Sequence, residues 1–136
     1  MNKLYDTPKP EGFRTANTYL FVNDAPSYID FIKSVFLGEE LSRTVRPDNG
    51  DIANCILSIG DTNIMIAQAR GDFENMATAI YLYTSEVDKL YEAAIDAGCE
   101  SVFKGQDMDY GDYQAGVKDI QGNYWWISKR GSADSY

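Results

Sequence analysis

The chain has 136 residues, room for one compact domain or two closely packed half-domains. A net charge of −9 and an isoelectric point near 4.3 set it against phosphate backbones and anionic bilayers, so neither nucleic acid nor membrane is an expected partner. It has no histidine, which removes the commonest metal ligand and excludes any Ser–His or Cys–His nucleophile.

The first 15 residues are polar, contain Pro8, Pro10 and Gly12, and read as a lead-in arm. They hold no apolar signal region, and no window of the chain approaches 18 apolar residues, so a cytoplasmic protein is expected. Thr18 to Val22 is β-branched, aromatic or aliphatic throughout and predicts a strand. Asp24 is a good N-cap and Pro26 suits a first helical turn. Tyr28, Phe31, Ile32, Val35 and Phe36 then recur at helical spacing, with Gly38 as a natural stop.

Strands are predicted at 40–45, 52–59 and 63–68, separated by turns at Pro47-Asp48-Asn49-Gly50 and Gly60-Asp61. Cys55 falls in the second of these strands and reads as a small core residue. With Cys99 it makes no CxxC pair and no disulfide framework. A strand at 80–83 follows, then Ser85 and Asp88 at the spacing of a capping box. Val87, Leu90, Tyr91 and Ala94 form an apolar helical stripe that Gly98 ends. The last strands are predicted at 101–104, 114–118 and 124–129, with Gln121-Gly122-Asn123 as the final turn.

The same order of elements occurs twice. The helix-stopping glycines, Gly38 and Gly98, are 60 residues apart, and the turn glycines, Gly60 and Gly122, are 62 apart. An internal repeat of β-α-β-β-β units is therefore expected. The chain divides into an arm (1–15), a first module (16–70), a linker (71–78), a second module (79–130) and a tail (131–136). The fold class is α+β: two βαβββ modules pairing into a cupped mixed β-sheet, helices outside.

Within this pattern the segment Tyr110-Gly111-Asp112-Tyr113-Gln114-Ala115-Gly116-Val117-Lys118-Asp119-Ile120-Gln121-Gly122-Asn123-Tyr124-Trp125 is similar to the YGDR-x-x-G-x-x-DPxGxxW stretch of glyoxalase-like proteins of phosphonate operons. Tyr113 stands in place of the usual Arg and Ile120 in place of the usual Pro. Val22-Asn23-Asp24 through Asp30-Phe31 resembles the opening of that family's first helix. Over about residues 16 to 129 the chain thus resembles the glyoxalase / bleomycin-resistance / extradiol-dioxygenase superfamily, also called vicinal oxygen chelate proteins. That fold hosts lyases, dioxygenases, epimerases and drug binders, so the resemblance implies a fold more than an activity.

Metal enzymes of the superfamily take ligands from the first strand of each module and from the last strand. The resemblance places those positions at Asn17, Ala79 and Trp126, with a further one at Asn54. None is His, Cys, Asp or Glu, so no metal and no other cofactor is expected at the usual place. If Asn17, Ala79 and Trp126 face the concavity, the period of two along a strand brings Tyr19, Phe21, Tyr81, Tyr83, Tyr124 and Ser128 with them. The opposite parity (Thr18, Leu20, Val22, Ile80, Leu82, Trp125, Ile127) is mostly apolar and suits packing under helices.

The expected ligand-binding set is accordingly Asn17, Tyr19, Phe21, Asn54, Tyr81, Tyr83, Tyr110, Tyr124 and Trp126. Its rings suit a flat, partly apolar small molecule; the plainer use of such rings is to fill a core or a dimer interface. Metal-free, drug-sequestering members of the superfamily favour the first use, and related proteins that complete their clefts across subunits imply a homodimer. Two rival functions stand beside this one: a glyoxalase-like lyase or dioxygenase with an atypical or absent metal site, and a structural or regulatory dimer without ligand. Asp107, Asp109 and Asp112 read as a solvated acidic loop, Glu39-Glu40 as a solvated strand start, and Arg43 and Arg46 as exposed salt-bridge partners. Gly71-Asp72-Phe73-Glu74-Asn75-Met76 is the linker between modules and is expected, in a fold of this type, to form a flap over the pocket.

Overall fold

A computed structural model of the protein describes residues 3–136. The chain forms two compact units, one running to Asn75 and the other beginning at Met76. In the first, β1 (Tyr19–Val22) leads into α1 (Ala25–Phe36), then β2 (Glu39–Val45), β3 (Ile52–Ile59) and β4 (Thr62–Gln68). In the second, β5 (Ala79–Tyr83) leads into α2 (Val87–Asp96), then β6 (Glu100–Asp107), β7 (Asp112–Lys118) and β8 (Tyr124–Arg130). The sheet orders are β1-β4-β3-β2 and β5-β8-β7-β6. In each, the first strand pairs parallel with the last and the other pairings are antiparallel. The repeat is thus a repeat of topology: two four-stranded mixed sheets, each with one helix, in an α+β protein.

The helix of each unit covers one face of its own sheet. Leu20 and Val22 of β1, Cys55 and Leu57 of β3, and Ile64 and Ile66 of β4 are buried with the α1 residues Tyr28, Ile29 and Ile32. Trp125 and Ile127 of β8 and Ala115 and Val117 of β7 are buried with Val87, Tyr91 and Ala94 of α2. α2 packs on β6, β7 and β8, and Ile80 and Leu82 of β5 stay only half-buried at the sheet's edge. Burial raises the thiol pKa of Cys55, and that of Cys99 to about 12, as for apolar core thiols.

Asp24 caps α1, its Oδ1 accepting from Ser27 N at 3.1 Å, and Pro26 sits in the first turn. The stop differs from expectation. Leu37, not Gly38, takes the left-handed conformation, at φ 56°. Gly38 is required for space, since a Cβ there would lie 2.8 Å from Ile32 Cγ2. The capping box expected at Ser85 and Asp88 does not form. Thr84 Oγ1 accepts from Glu86 N at 3.0 Å, and the Asp88 carboxylate instead accepts the Tyr113 hydroxyl at 2.7 Å. That bond crosses Gly105, whose missing side chain leaves room for it. It also explains why β6 runs past the predicted 101–104: a glycine and two polar residues hide the end of a strand whose pairing with β7 continues to Asp107.

The motif that carried the family resemblance is a folding device. Asp119 Oδ1 accepts from Gln121 N and Asn123 N, both at 2.9 Å, and closes the β7–β8 turn. Gly122 takes φ 88° in that turn. Asp119 Oδ2 accepts from Trp125 Nε1 at 2.8 Å, which satisfies the one polar atom of a fully buried indole.

Candidate functional site

The face of each sheet turned away from its helix carries the rings. In the first unit Tyr19 pairs with Met65 and Phe21 with Ala67 across β1–β4, and Met65 pairs with Ile56, two residues from Asn54 on β3. Tyr19, Phe21 and Asn54 therefore share one face. The Tyr19 and Phe21 centroids are 5.1 Å apart, and Phe73 lies 5.5 Å from Phe21. Phe73 reaches that position through a tight turn, Arg70 and Phe73 exchanging both main-chain bonds at 2.8 and 2.9 Å. Asn17 stands apart. It precedes β1, and its amide closes a local loop, accepting from Arg14 N and donating to Arg14 O, both at 2.8 Å.

In the second unit Tyr81 pairs with Trp126, and Trp126 with Gly116, which pairs with Phe103. The absent side chain of Gly116 lets Phe103 lie across β7, edge-on to Trp126 at 6.1 Å. Tyr124 meets the other side of Trp126 at 5.6 Å, and Tyr81 lies 5.4 Å from Tyr83. Tyr81 and Tyr83 are 42 % and 57 % exposed, while Trp125, one residue from Trp126, is wholly buried. The two indoles thus serve opposite faces.

Beyond these rings the same face turns polar. Tyr83 pairs with Ser128, Ser128 with Gln114, and Arg130 with Asp112. Tyr110 donates its hydroxyl to Gln114 Oε1 at 2.6 Å, and Gln114 Nε2 donates to Ser128 Oγ at 2.6 Å. Asp112 is the correction to the solvated acidic loop: it is 1 % exposed. Its Oδ1 accepts from Arg130 Nη1 at 2.9 Å and its Oδ2 from the Tyr81 hydroxyl at 2.5 Å. Burial pushes its pKa up, but the hydrogen bonds from Tyr81, Arg130 and Tyr136 outweigh it and hold the carboxyl below its ordinary value. Glu40 is likewise no free strand start; it holds Arg43 by two bonds at 2.8 and 2.9 Å and Lys33 at 2.7 Å.

Sequence reasoning missed Phe73 as a ring of the first face, and Phe103, Asp112, Arg130 and Tyr136 in the second. A signal existed for Asp112 and Arg130. They are of opposite charge on adjacent strands that the β7–β8 turn puts in register, and cross-strand pairs of that kind attract. Shallow cavities lie elsewhere in the first unit. One of about 460 Å³ is bounded by Phe13, Arg14, Leu41 and Asn63, and one of about 130 Å³ takes in Asn17. Their mixed, open walls offer no stacked rings, so the candidate site is placed on the ring-lined faces.

The metal positions implied by the family do not fit a metal. Ala79 has no donor, Trp126 offers an indole, the Asn17 amide is engaged with Arg14, and amide oxygens are poor ligands for transition metals. Among the described residues no three His, Cys, Asp or Glu side chains come together in a way that could hold an ion. Among the same described residues no helix is long and apolar enough to cross a membrane.

No family profile matches this chain. It is 30% identical over 122 residues to an uncharacterised protein of Mycobacterium bovis, covering 82% of this chain and 80% of that one. Among solved structures it is similar to TioX from Micromonospora sp. ML1, with TM-score 0.69 and 22% identity over 85% of this chain and 98% of the other. It is similar too to a glyoxalase/bleomycin resistance protein/dioxygenase family enzyme from Burkholderia phytofirmans PsJN, with TM-score 0.63 and 22% identity over 84% and 98%. At such identities these structures speak to the fold.

Proposed function

We propose that the chain, which shares the fold of glyoxalase/bleomycin resistance protein/dioxygenase family structures, is a member of that superfamily and binds a small planar or amphipathic molecule in an aromatic-lined cleft, without a transition metal. The observation that carries this reading is the pair of ring-lined sheet faces: rings touch one another along both faces yet stay open to solvent, Tyr19 being 40 % exposed and Tyr83 57 %. Rings that only filled a core would be buried like Trp125. The donor-poor set Asn17, Ala79, Trp126 and Asn54 supports binding over metal-assisted turnover. A homodimer is part of the proposal, supported by the family resemblance.

Two measurements test it together. Elemental mass spectrometry of chelator-free protein is expected to find transition metal well below one ion per chain. Titration with planar aromatic compounds is expected to quench tryptophan fluorescence in the wild type, and much less in Trp126→Phe, since Trp125 is shielded in the core. Stoichiometric Zn, Ni, Mn or Fe, or quenching indifferent to Trp126, would overturn the reading.

A further inference from the structure

The tail lies over the polar end of the second unit's open face, and Tyr136 sits there as a ligand would. Its hydroxyl donates to Asp112 Oδ2 at 2.9 Å and is hydrogen-bonded to the Tyr83 hydroxyl. Its ring lies 3.9 Å from the Arg130 guanidinium carbon and edge-on to Tyr110 at 6.2 Å. The strap that delivers it is slight. Residues 131–135 are exposed and in neither strand nor helix, and Arg130 holds them through Nε to Asp134 O at 2.9 Å and Nη2 to Ser135 O at 3.3 Å. Tyr136 itself remains 65 % exposed, so it is held by its hydroxyl and one face of its ring.

The niche under it is built without it. Arg130 Nη1 donates both to Asp112 Oδ1 and to Tyr110 O at 2.9 Å, and Tyr81 donates to Asp112 Oδ2. What remains for an occupant is an acceptor on a buried, ionised carboxylate, a phenolic partner at Tyr83, and a flat cationic surface. A carboxylate takes an O–H donor strongly, and a guanidinium takes the face of a ring. We infer that this niche is a binding site for a phenol or hydroxylated aromatic ring, and that Tyr136 is its built-in occupant, displaced when an external phenol binds. The inference rests on the binding function proposed above and narrows it to one ligand chemistry at one end of one sheet.

A tethered phenol competes at an effective concentration of order millimolar, so removing it should expose the intrinsic affinity. The test titrates 2-naphthol, followed by its own fluorescence, into the wild type and Tyr136→Ala, with 2-methoxynaphthalene as the ring without a donor. Tyr136→Ala is expected to bind 2-naphthol about tenfold more tightly. 2-Methoxynaphthalene, which cannot donate to Asp112, should gain nothing. Asp112→Asn in the Tyr136→Ala background is expected to abolish the gain. Should that variant lose its folded circular-dichroism spectrum, Tyr83→Phe in the same background reads the same site and is expected to reduce the gain. Equal affinity of wild type and Tyr136→Ala for 2-naphthol, or an equal gain for both ligands, overturns the inference. Trp126 quenching by planar compounds, combined with a 2-naphthol affinity that is the same with and without Tyr136, would overturn the niche and leave the binding function standing. Absence of quenching and of 2-naphthol binding in both chains would overturn both.

Discussion

The two units share a topology and differ in what their sheets carry. The first invests in its helix side: α1 has 12 residues, a side-chain cap and seven buried residues. The second has a 10-residue α2 with no side-chain cap bond and three buried residues, and its helix side depends on Trp125. On the open faces the contrast reverses. The first presents Tyr19, Phe21 and Phe73 as an apolar stripe, while the second joins its rings to Asp112, Arg130, Gln114 and Ser128 in a satisfied polar network. Two units of one strand order thus differ in emphasis: the first buries more of its helix, and the second carries the polar network.

Trp125→Ala tests that contrast hardest. It removes a fully buried ring and strips Asp119 of an indole donor, so a loss of about 3–5 kcal/mol is expected in chemical denaturation. Trp125→Phe restores most of the ring and isolates the hydrogen bond. A loss in Trp125→Ala below about 1 kcal/mol would mean that the second core does not depend on this residue.

The helix ends offer a smaller and opposite pair of effects. Leu37 holds φ 56° while 75 % exposed, so it bears the strain of a left-handed side chain and buries little. Leu37→Gly is expected to raise stability by about 0.5–1 kcal/mol after the added freedom of the unfolded chain is counted. Its counterpart Gly98 holds φ 101°, so Gly98→Leu should cost about 1–2 kcal/mol. Thermal unfolding of the two single variants checks both signs; a loss for Leu37→Gly would mean that the Leu37 side chain has a packing role.

Most of the fold was legible in the sequence because its signals are local. Asp24, the 3.6-residue stripe from Tyr28 to Phe36 and the turn glycines act within a few residues of themselves. What stayed hidden was set by partners distant in sequence. Asp88 was drawn from a capping box by Tyr113, 25 residues on, and Gly105 disguised a strand because Tyr113 needed its space. The ring faces could be read from parity alone, since alternation along a strand needs no knowledge of the partner. The polar end could not: Asp112 sits in a run of aspartates whose composition suggests solvent, and only the pairing of β7 with β8 brings Arg130 to it. Asn17, placed by family analogy, fell one residue outside the predicted strand, where its amide closes a turn.

The smallest expected effect is one of pH, and it separates the units' ion pairs. Hydrogen bonds from Arg43 and then Lys33, against a modest opposing effect of burial, hold Glu40 down at about 2 rather than 4.5. A carboxylate whose folded pKa is depressed binds its proton more readily in the unfolded chain. Its contribution is therefore complete above about pH 4.5 and is lost as pH falls toward 2. Because the pair lies at the surface, the contribution is at most about 1 kcal/mol at moderate salt and shrinks as salt rises. Asp112 is depressed as well, so it adds a loss of the same sign in acid. Glu40→Gln should remove only the salt-sensitive part of the acid slope, because Arg43 and Lys33 are half-exposed. What remains should be abolished by Asp112→Asn and resist salt, since the Asp112–Arg130 pair is shielded. Equal salt sensitivity of the two slopes would place Asp112 in solvent after all and remove the contrast between the open faces.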